Sequence, residues 1–223
     1  MKKILFAASE SVPFIKTGGL ADVAGSLPKY FDKEKYDVRV MLPKYMCMKD
    51  EWKEKLQYHT HFYMDLNWRK QYVGVLEMEY DGIKFYFIDN EYYFNGYAPY
   101  GDMYADIEKF AFFSKAVLSA LPLIDFRPDI IHCHDWQTGL VPVYLDNFRY
   151  GNEFYRGIKT VMTIHNLKFQ GTWDPKRVRD ITGLPQYYFA PDKLEAYKDA
   201  NYLKGGIVYA DRVTTVSNSY AEE

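Results

Sequence analysis

The stretch KTGGLADVAG (residues 16–25) follows the apolar run ILFAA (residues 4–8) and decides the fold that we expect. Apolar residues at i, i+3, i+4 and i+7 from Leu20 predict a helix. A strand, a glycine turn and a helix in this order begin a parallel α/β sheet. Gly18 and Gly19 let the backbone bend and approach a ligand, next to the free N–H groups of the helix end.

Two interpretations of this turn stay open from the residues alone. It is either a cradle for a diphosphate, to which Lys16 adds a positive charge, or a plain tight turn beside an exposed lysine. The sequence here matches neither the GxxxxGK[ST] loop of P-loop proteins nor the GxGxxG fingerprint of dinucleotide-binding proteins.

Short apolar runs alternate with helical patterns along the rest of the chain. Runs that are apolar throughout are typical of strands covered on both faces. The alternation predicts an α/β fold with a Rossmann-like, doubly wound, mainly parallel sheet. The predicted strands are residues 4–8, 38–42, 73–78, 85–88, 130–132, 160–164 and 213–216, and the predicted helices are residues 20–27, 105–121 and 140–148.

Three local features interrupt this alternation. The turn YDG (residues 80–82) predicts a β-hairpin between residues 73–78 and 85–88, placed as a decoration at the sheet edge. The aromatic stretch 92–102 contains Asn95-Gly96 and Pro99 and predicts a long loop, a candidate lid. Ser217 or Ser219 is a candidate N-cap for a helix that begins at residues 220–223, which favours a fragment of a longer enzyme.

Composition excludes several classes of protein. The 223 residues, 48% hydrophobic and 26% charged, suffice for one large domain, residues 1–223. A net charge of -2 gives no reason to expect nucleic acid or an anionic membrane as a partner. No apolar run reaches the roughly 20 residues of a membrane span. Cys47 and Cys133 lie far apart, which argues against a disulfide framework or a thiolate zinc site and favours the cytoplasm.

A second polar cluster, HCHDW (residues 132–136), directly follows a predicted strand. The carboxyl ends of strands line the ligand crevice in an open α/β sheet, so these side chains are expected near substrate. Alternation along the strand predicts His132 and His134 on one face and Asp135 on the other. A metal site is a competing interpretation, which the extended spacing disfavours because neighbouring residues seldom converge on one ion.

A third cluster, TIHNLKFQG (residues 163–171), follows the next predicted strand. His165, Asn166 and Gln170 are its candidate binding residues, and the alternative is that His165 only satisfies a loop carbonyl. Because all three clusters follow strands, we expect them to project into one crevice. Asp135 and Asp22 are candidate bases or orienting groups, and no GxSxG elbow marks a nucleophile.

Four segments together resemble the bacterial glycogen synthase and plant starch synthase family. They are KTGGLADVAGSLPK (16–29), PDIIHCHDWQTGLVP (128–142), TIHNLKFQG (163–171) and NYLKGGIVYADRVTTVSNSYAEE (201–223), in the order that this family has. The resemblance implies retaining transfer of glucose from a nucleotide sugar, ADP-glucose in most bacteria, to the non-reducing end of an α-1,4-glucan. It also implies a two-domain GT-B fold with a cleft between Rossmann-like domains.

The resemblance assigns roles to residues of this chain. Lys16, Gly18 and Gly19 correspond to the loop that contacts the donor diphosphate and glucose, which favours the phosphate cradle. Asp22 is similar to a substrate-binding residue, and Asp135 to a catalytic-site aspartate. His165 is similar to the histidine that holds the donor sugar. His134, Asn166 and Gln170 are further substrate-binding candidates, and the resemblance implies neither a metal nor another cofactor.

The resemblance further implies that the chain is the N-terminal, acceptor-side half of such an enzyme. The nucleotide-binding domain, with an Arg/Lys pair and a glutamate for the cleft, would lie beyond residue 223. We therefore expect little activity from this half alone. Two alternatives stay open: a GT-B glycosyltransferase for another nucleotide sugar, UDP-glucose included, and a non-catalytic α-glucan-binding or regulatory module that has kept the fold.

Overall fold

The structure, a computed structural model, describes residues 1–222 and consists of strands and helices in alternation. The strands are β1 (Lys2–Ala7), β2 (Tyr36–Pro43), β3 (Gln57–Leu66), β4 (Arg69–Tyr80), β5 (Ile83–Asp89), β6 (Ile130–His134), β7 (Lys159–Ile164), β8 (Thr172–Trp173), β9 (Glu195–Ala196), β10 (Asp199–Asn201) and β11 (Arg212–Thr215). The helices are α1 (Gly19–Ser26), α2 (Asp50–Lys53), α3 (Glu91–Phe94), α4 (Met103–Ala120), α5 (Leu140–Phe148), α6 (Pro175–Thr182), α7 (Tyr202–Tyr209) and α8 (Asn218–Glu222).

The main sheet has the order β11-β7-β6-β1-β2-β5-β4-β3. All neighbouring pairs from β11 to β5 are parallel. The chain moves from β1 to β2 and β5 in one direction and then from β6 to β7 and β11 in the other. The direction reverses between β1 and β6, so the loops after these two strands diverge and leave a crevice between them. The predicted Rossmann-like, mainly parallel sheet is confirmed.

Helices cover both faces of this sheet. Crossovers between parallel strands are right-handed, so connections that run in opposite directions place their helices on opposite faces. The helix α1 lies in a connection of one direction, and α4, α5 and α7 lie in connections of the other. In agreement, α5 packs against both α4 and α7. The sheet is therefore doubly wound, as the alternating pattern predicts.

The predicted β-hairpin forms, with Tyr80 opposite Ile83 across the turn. Asp81 and Gly82 both have positive φ, 49° and 73°, as a two-residue type I′ turn requires. Neither strand of the hairpin lies at the sheet edge, because β5 pairs in parallel with β2 and β4 pairs antiparallel with β3. The true edge strand is β3, which the sequence analysis missed because its polar and aromatic residues form no apolar run.

The C-terminal part of the chain contains two helices that the sequence analysis missed and one that it anticipated. Helix α6 begins with Asp174 as N-cap and ends at Gly183 with φ 66°, so local cap signals were present. Helix α7 begins after Asn201, whose side chain accepts from the Lys204 N–H. Before α8, the Ser217 hydroxyl accepts from the Tyr220 N–H, which confirms Ser217 as the capping candidate. Glu223 lies outside the described residues.

The stretch 92–102, predicted as a loop, begins inside the short helix α3 and then runs without regular structure to α4. A buried ion pair anchors its end, since Lys109 Nζ lies 2.8 Å from Asp106 Oδ1 and also donates to the Pro99 carbonyl. The other oxygen of Asp106 accepts from the Gly101 N–H. These bonds hold the end of the loop at the rim of the crevice.

Candidate functional site

A cavity of about 660 Å³ opens at the carboxyl ends of the central strands. Its wall comes from the loops after β1, β6 and β7, from the start of α4 and from Val216 after β11. Both polar and apolar side chains line it. The lining residues are Glu10, Thr17, Gly18, Gly19, Leu20, Val23, Tyr100, Gly101, Met103, Asp106, Asp135, Trp136, Gln137, His165, Asn166, Phe169 and Val216. The three predicted strand-end clusters thus meet in one crevice.

The loop of residues 16–19 is held by Glu10, a residue that the sequence analysis did not select. One carboxyl oxygen of Glu10 accepts from the Thr17 N–H at 2.8 Å and from the Thr17 hydroxyl at 2.7 Å. The other oxygen accepts from the Gly18 N–H at 3.2 Å. Because Glu10 is only 2% exposed, these three hydrogen bonds, which we call the Glu10 bracket, are protected from water and fix the shape of the loop.

The two glycines keep the mouth of the cavity clear. Gly18, the N-cap of α1, is extended and provides no side-chain cap. A Cβ atom on Gly19 would meet no protein atom within 4 Å. Neither glycine has a positive φ. Their absent side chains leave space beside the first N–H groups of α1, which lack intrahelical partners and attract anions.

Lys16 and Asp22 form an exposed ion pair next to this loop. Lys16 Nζ lies 2.7 Å from Asp22 Oδ2, and both side chains are 52% exposed. An ion pair with this exposure contributes little to stability. Lys16 can therefore exchange Asp22 for another anion at small cost.

Asp135 joins the end of β6 to the loop after β7. Its Oδ1 accepts from the backbone N–H of His165 at 2.7 Å and of Asn166 at 3.3 Å. The backbone of Asp135 has φ 57°, an uncommon value for a residue with a side chain. Burial raises the pKa of Asp135 to about 6, in spite of the two backbone hydrogen bonds, which lower it. A carboxyl group that titrates near neutral pH in a cavity is typical of functional sites.

Three histidine rings pack together behind and along the cavity wall. The rings of His132 and His134 stack at 4.3 Å between centroids, so both lie on one face of β6 as alternation predicts. His134 Nδ1 lies 3.0 Å from His165 Nε2. Burial lowers the pKa of His132 and His165 to about 4 and that of His134 well below its usual value. All three rings are therefore neutral at pH 7.

The structure divides the predicted site residues into two groups. Gly18, Gly19, Asp135, His165 and Asn166 line the cavity. The remaining residues lie outside its wall: Lys16, Asp22, His134 and Gln170.

Each residue of the second group has a different position. Lys16 and Asp22 are exposed and are adjacent in the chain to the wall residues Thr17 and Val23. His134 is fully buried and is hydrogen-bonded to the wall residue His165. The Gln170 side chain is bonded to the Leu167 carbonyl and to Asn201, which indicates a role in holding the loop after β7.

Several polar residues of the cavity wall were not predicted from the sequence, among them Tyr100, Gln137, Glu10 and Asp106. Tyr100 lies in the predicted lid stretch, and its hydroxyl is 2.7 Å from the Ser9 hydroxyl. Gln137 is adjacent to the selected cluster, and its amide oxygen is buried without a hydrogen-bond partner among residues 1–222. Glu10 lies three residues after the end of β1, and this position after a strand is a signal that could have identified it. Asp106 lies on α4 and gave no local signal.

The competing interpretation of the HCHDW segment as a metal site finds no geometric support. Among residues 1–222 there is no group of three or more histidine, cysteine or acidic side chains with the geometry of a metal site. The imidazoles of His132 and His134 stack face to face instead of converging on one point, and Asp135 is bonded to backbone N–H groups. Cys47 and Cys133 are both free thiols.

Comparison with known proteins identifies the family. Residues 3–223 match the family model described as the starch synthase catalytic domain. The chain belongs to this family. A glycogen synthase of Lachnoclostridium phytofermentans is 71% identical over the whole chain, and a glycogen synthase of Lachnospira eligens is 72% identical. The resemblance seen in the four sequence segments is therefore confirmed.

A solved structure supports the same assignment. The catalytic domain of starch synthase IV from Arabidopsis thaliana, bound to ADP and acarbose, superposes on the whole chain with a TM-score of 0.81 at 28% identity. The match covers 46% of that structure's chain. It confirms the predicted fold class, the mainly parallel half of a GT-B glycosyltransferase.

The chain spans about half the length of its relatives. The matched region covers 47% of each of the two glycogen synthases named above. Within residues 1–222, no helix combines the length and the apolar character needed to cross a bilayer.

Proposed function

We propose that this chain is the N-terminal domain, residues 1–223, of a glycogen or starch synthase. The enzyme transfers glucose from ADP-glucose to the non-reducing end of an α-1,4-glucan such as glycogen. The observation that carries the proposal is the convergence of the loop 16–19, Asp135 and His165 on one cavity of about 660 Å³. The glycogen synthases named above and the starch synthase structure supply the reaction class.

The donor diphosphate is assigned to the space beside Gly18 and Gly19. A Cβ on Gly19 would point into open space, so a ligand can approach this backbone closely. The N-terminus of α1 favours negative charge. Lys16 would leave Asp22 and pair with the diphosphate, and this cation stabilises the negative charge that develops on the departing ADP.

The glucosyl group is assigned to the wall made by Asp135 and His165. Asp135 has one carboxyl oxygen bound to backbone N–H groups, which leaves the other oxygen for a sugar hydroxyl or for charge that builds on the anomeric carbon. In this scheme the acceptor 4-hydroxyl attacks from the face that ADP leaves, and its proton passes to a departing phosphate oxygen. The configuration of the transferred glucose is retained, and no side chain acts as a nucleophile.

A second, nucleotide-binding domain would complete the cleft, consistent with the half-length match to the relatives. Asn166 and Gln170 are assigned to the donor side, the first as a wall residue and the second as support for its loop. The proposed reaction uses the nucleotide sugar as substrate and needs no metal or other cofactor. The free thiols Cys47 and Cys133 suit a reducing compartment, for which we propose the cytoplasm.

The test is transfer of labelled glucose to glycogen by the full-length protein and by residues 1–223. We expect transfer by the full-length protein and little or none by residues 1–223, because the cleft is divided between two domains. Competition between ADP-glucose and UDP-glucose identifies the donor, with preference for ADP-glucose as the expected result. A full-length protein that binds glycogen but releases no nucleoside diphosphate would instead be a binding module.

A further inference from the structure

His134 and His165 form an imidazole pair in which only one member reaches the cavity. His165 lines the cavity, whereas His134 is fully buried behind it. Their side chains meet through His134 Nδ1 and His165 Nε2 at 3.0 Å. On its other side, His134 is covered by the rings of His132 and Phe6, at 4.3 and 5.4 Å between centroids.

The hydrogen bond between two neutral imidazoles has two possible directions. In the first, His134 Nδ1–H donates to His165 Nε2, which leaves a lone pair on His134 Nε2 and a proton on His165 Nδ1. In the second, His165 Nε2–H donates to His134 Nδ1, which leaves a proton on His134 Nε2 and a lone pair on His165 Nδ1. Burial lowers the pKa of both rings, so neither carries a second proton near neutral pH.

The surroundings of His134 Nε2 decide between these directions. This atom is buried and has no hydrogen-bond partner among residues 1–222. The neighbouring rings cannot accept from it, because His132 and Phe6 are inclined by only 28° and 34° to His134, and an in-plane N–H does not point at the face of a nearly parallel ring. A buried N–H without an acceptor is rarer than an unused lone pair. The first direction is therefore favoured.

We propose that His134 is a positioning residue that holds His165 in its Nδ1–H tautomer. His165 then presents a hydrogen-bond donor to the cavity, and the matching ligand group is an oxygen that accepts, such as a hydroxyl of the donor sugar. No residue of 1–222 hydrogen-bonds His165 Nδ1, so this atom is available to a ligand. The ligand's identity rests on the proposed function, whereas the tautomer follows from the histidine pair itself.

The backbone holds the pair in place from both sides. The Thr138 hydroxyl accepts from the His134 N–H at 2.7 Å, and Asp135 accepts from the His165 N–H. His132 Nε2 lies 2.6 Å from the Thr163 hydroxyl, and among residues 1–222 no hydrogen bond joins His132 to His165. His132 therefore packs against His134. A substitution of His132 serves as a control for the loss of this packing.

The first experiment is ¹⁵N NMR of the full-length protein with labelled histidine at pH 7.5. The signals of His165 are assigned from their loss in the His165→Gln variant. The expected result is a protonated, pyrrole-type Nδ1 and an unprotonated, pyridine-type Nε2 in His165. A protonated Nε2 would overturn the proposal. This measurement needs no turnover, so it remains decisive even if the full-length protein transfers no glucose, an outcome that would defeat only the proposed function.

The second experiment compares three variants in glucosyl transfer. His134→Asn keeps an N–H donor near the position of Nδ1, so kcat/KM for the donor should stay within about fivefold of the wild type, less than the loss of a whole hydrogen bond. His134→Leu removes the donor and should lower kcat/KM about 10- to 100-fold, the cost typical of losing an orienting partner. His132→Asn, the packing control, should resemble His134→Asn.

The KM for glycogen should not change in any of the three variants. Equal kcat/KM in folded His134→Leu and His134→Asn would contradict the positioning role. If His134→Leu does not fold, the NMR result on the wild type decides alone.

Discussion

The carboxyl group of Asp135 accepts a hydrogen bond of 2.7 Å from the backbone N–H of His165, a residue on the neighbouring strand end. The bond joins the two sequence clusters HCHDW and TIHNLKFQG into one wall of the cavity. It also keeps a carboxyl group with a pKa of about 6 in a buried position. Stability and the proposed function therefore make opposite demands on Asp135, and this conflict can be measured.

Asp135→Asn should stabilise the fold above pH 6 and impair glucosyl transfer. Because folding raises the pKa of Asp135, the contribution of this carboxyl group to the free energy of unfolding is fully present below pH 3.8. It is lost as pH rises through about 6, and the loss corresponds to about 3 kcal/mol. Asparagine keeps the oxygen that accepts from His165 without the buried charge. In urea denaturation from pH 4 to pH 8, the free energy of unfolding of Asp135→Asn should exceed that of the wild type by an amount that grows up to pH 6 and is then constant. A variant less stable than the wild type at pH 8 would contradict this assignment.

The buried histidines should make the protein sensitive to acid. Their pKa values lie below 6.5 in the folded state, so their contribution is present above pH 6.5 and is lost as pH falls towards about 4. Each such histidine adds about 1.4 kcal/mol per pH unit to the slope. Asp135 opposes this slope between pH 6 and pH 3.8, so the loss should be steeper in Asp135→Asn. If the free energy of unfolding, measured with urea, had the same dependence on pH in the wild type and in Asp135→Asn, the opposing contribution of Asp135 would be disproved.

Glu10→Ala should loosen the loop of residues 16–19 beside the proposed donor site. The change leaves the N–H groups of Thr17 and Gly18 and the Thr17 hydroxyl without their buried acceptor, which should cost about 1 to 3 kcal/mol. Amide hydrogen exchange at Thr17 and Gly18 should accelerate. Glu10→Gln is the matched control, because it keeps one accepting oxygen and should show a smaller effect. Unchanged amide hydrogen exchange at Thr17 and Gly18 in Glu10→Ala would show that the Glu10 bracket does not hold the loop.

Gly19→Ala should separate ligand binding from folding. The added Cβ meets no protein atom within 4 Å, and alanine favours helices by up to about 1 kcal/mol, so thermal stability should be unchanged or higher. The same methyl group enters the space assigned to the diphosphate, so the KM for ADP-glucose should rise. Gly25→Ala, in the same helix, is the contrasting control, because its Cβ would overlap Val12 and should destabilise the fold. An unchanged donor KM in Gly19→Ala would place the diphosphate elsewhere.

Sequence patterns predicted the part of the fold that depends on local periodicity. The continuous apolar runs gave the parallel strands, and the position of polar clusters after them gave the cavity. The edge strand β3 was missed because one of its faces is open to solvent and its residues include His59, His61 and Tyr63. Helix α6 was missed because it buries few apolar residues, although Asp174 and Gly183 mark its ends.

The site was predictable where a side chain's role follows from its place on a strand, and unpredictable where it depends on a distant partner. His165 and Asp135 follow strands and were found. The bracket by Glu10 depends on how the chain after β1 folds back, which no spacing encodes. Alternation placed His134 and His132 on one face correctly, but only packing against Phe6 shows that His134 is sealed from the cavity.

The central claim is that the cavity beside Lys16 is where glucose leaves its diphosphate. The most direct test is the rate of glucose transfer from ADP-glucose to glycogen by the full-length protein, compared between the wild type and Lys16→Ala. We predict transfer by the wild type and a turnover at least about 100-fold lower in the variant, with glycogen affinity unchanged, because a cation that stabilises the leaving group is lost. Equal turnover in the two proteins, both folded, would contradict it.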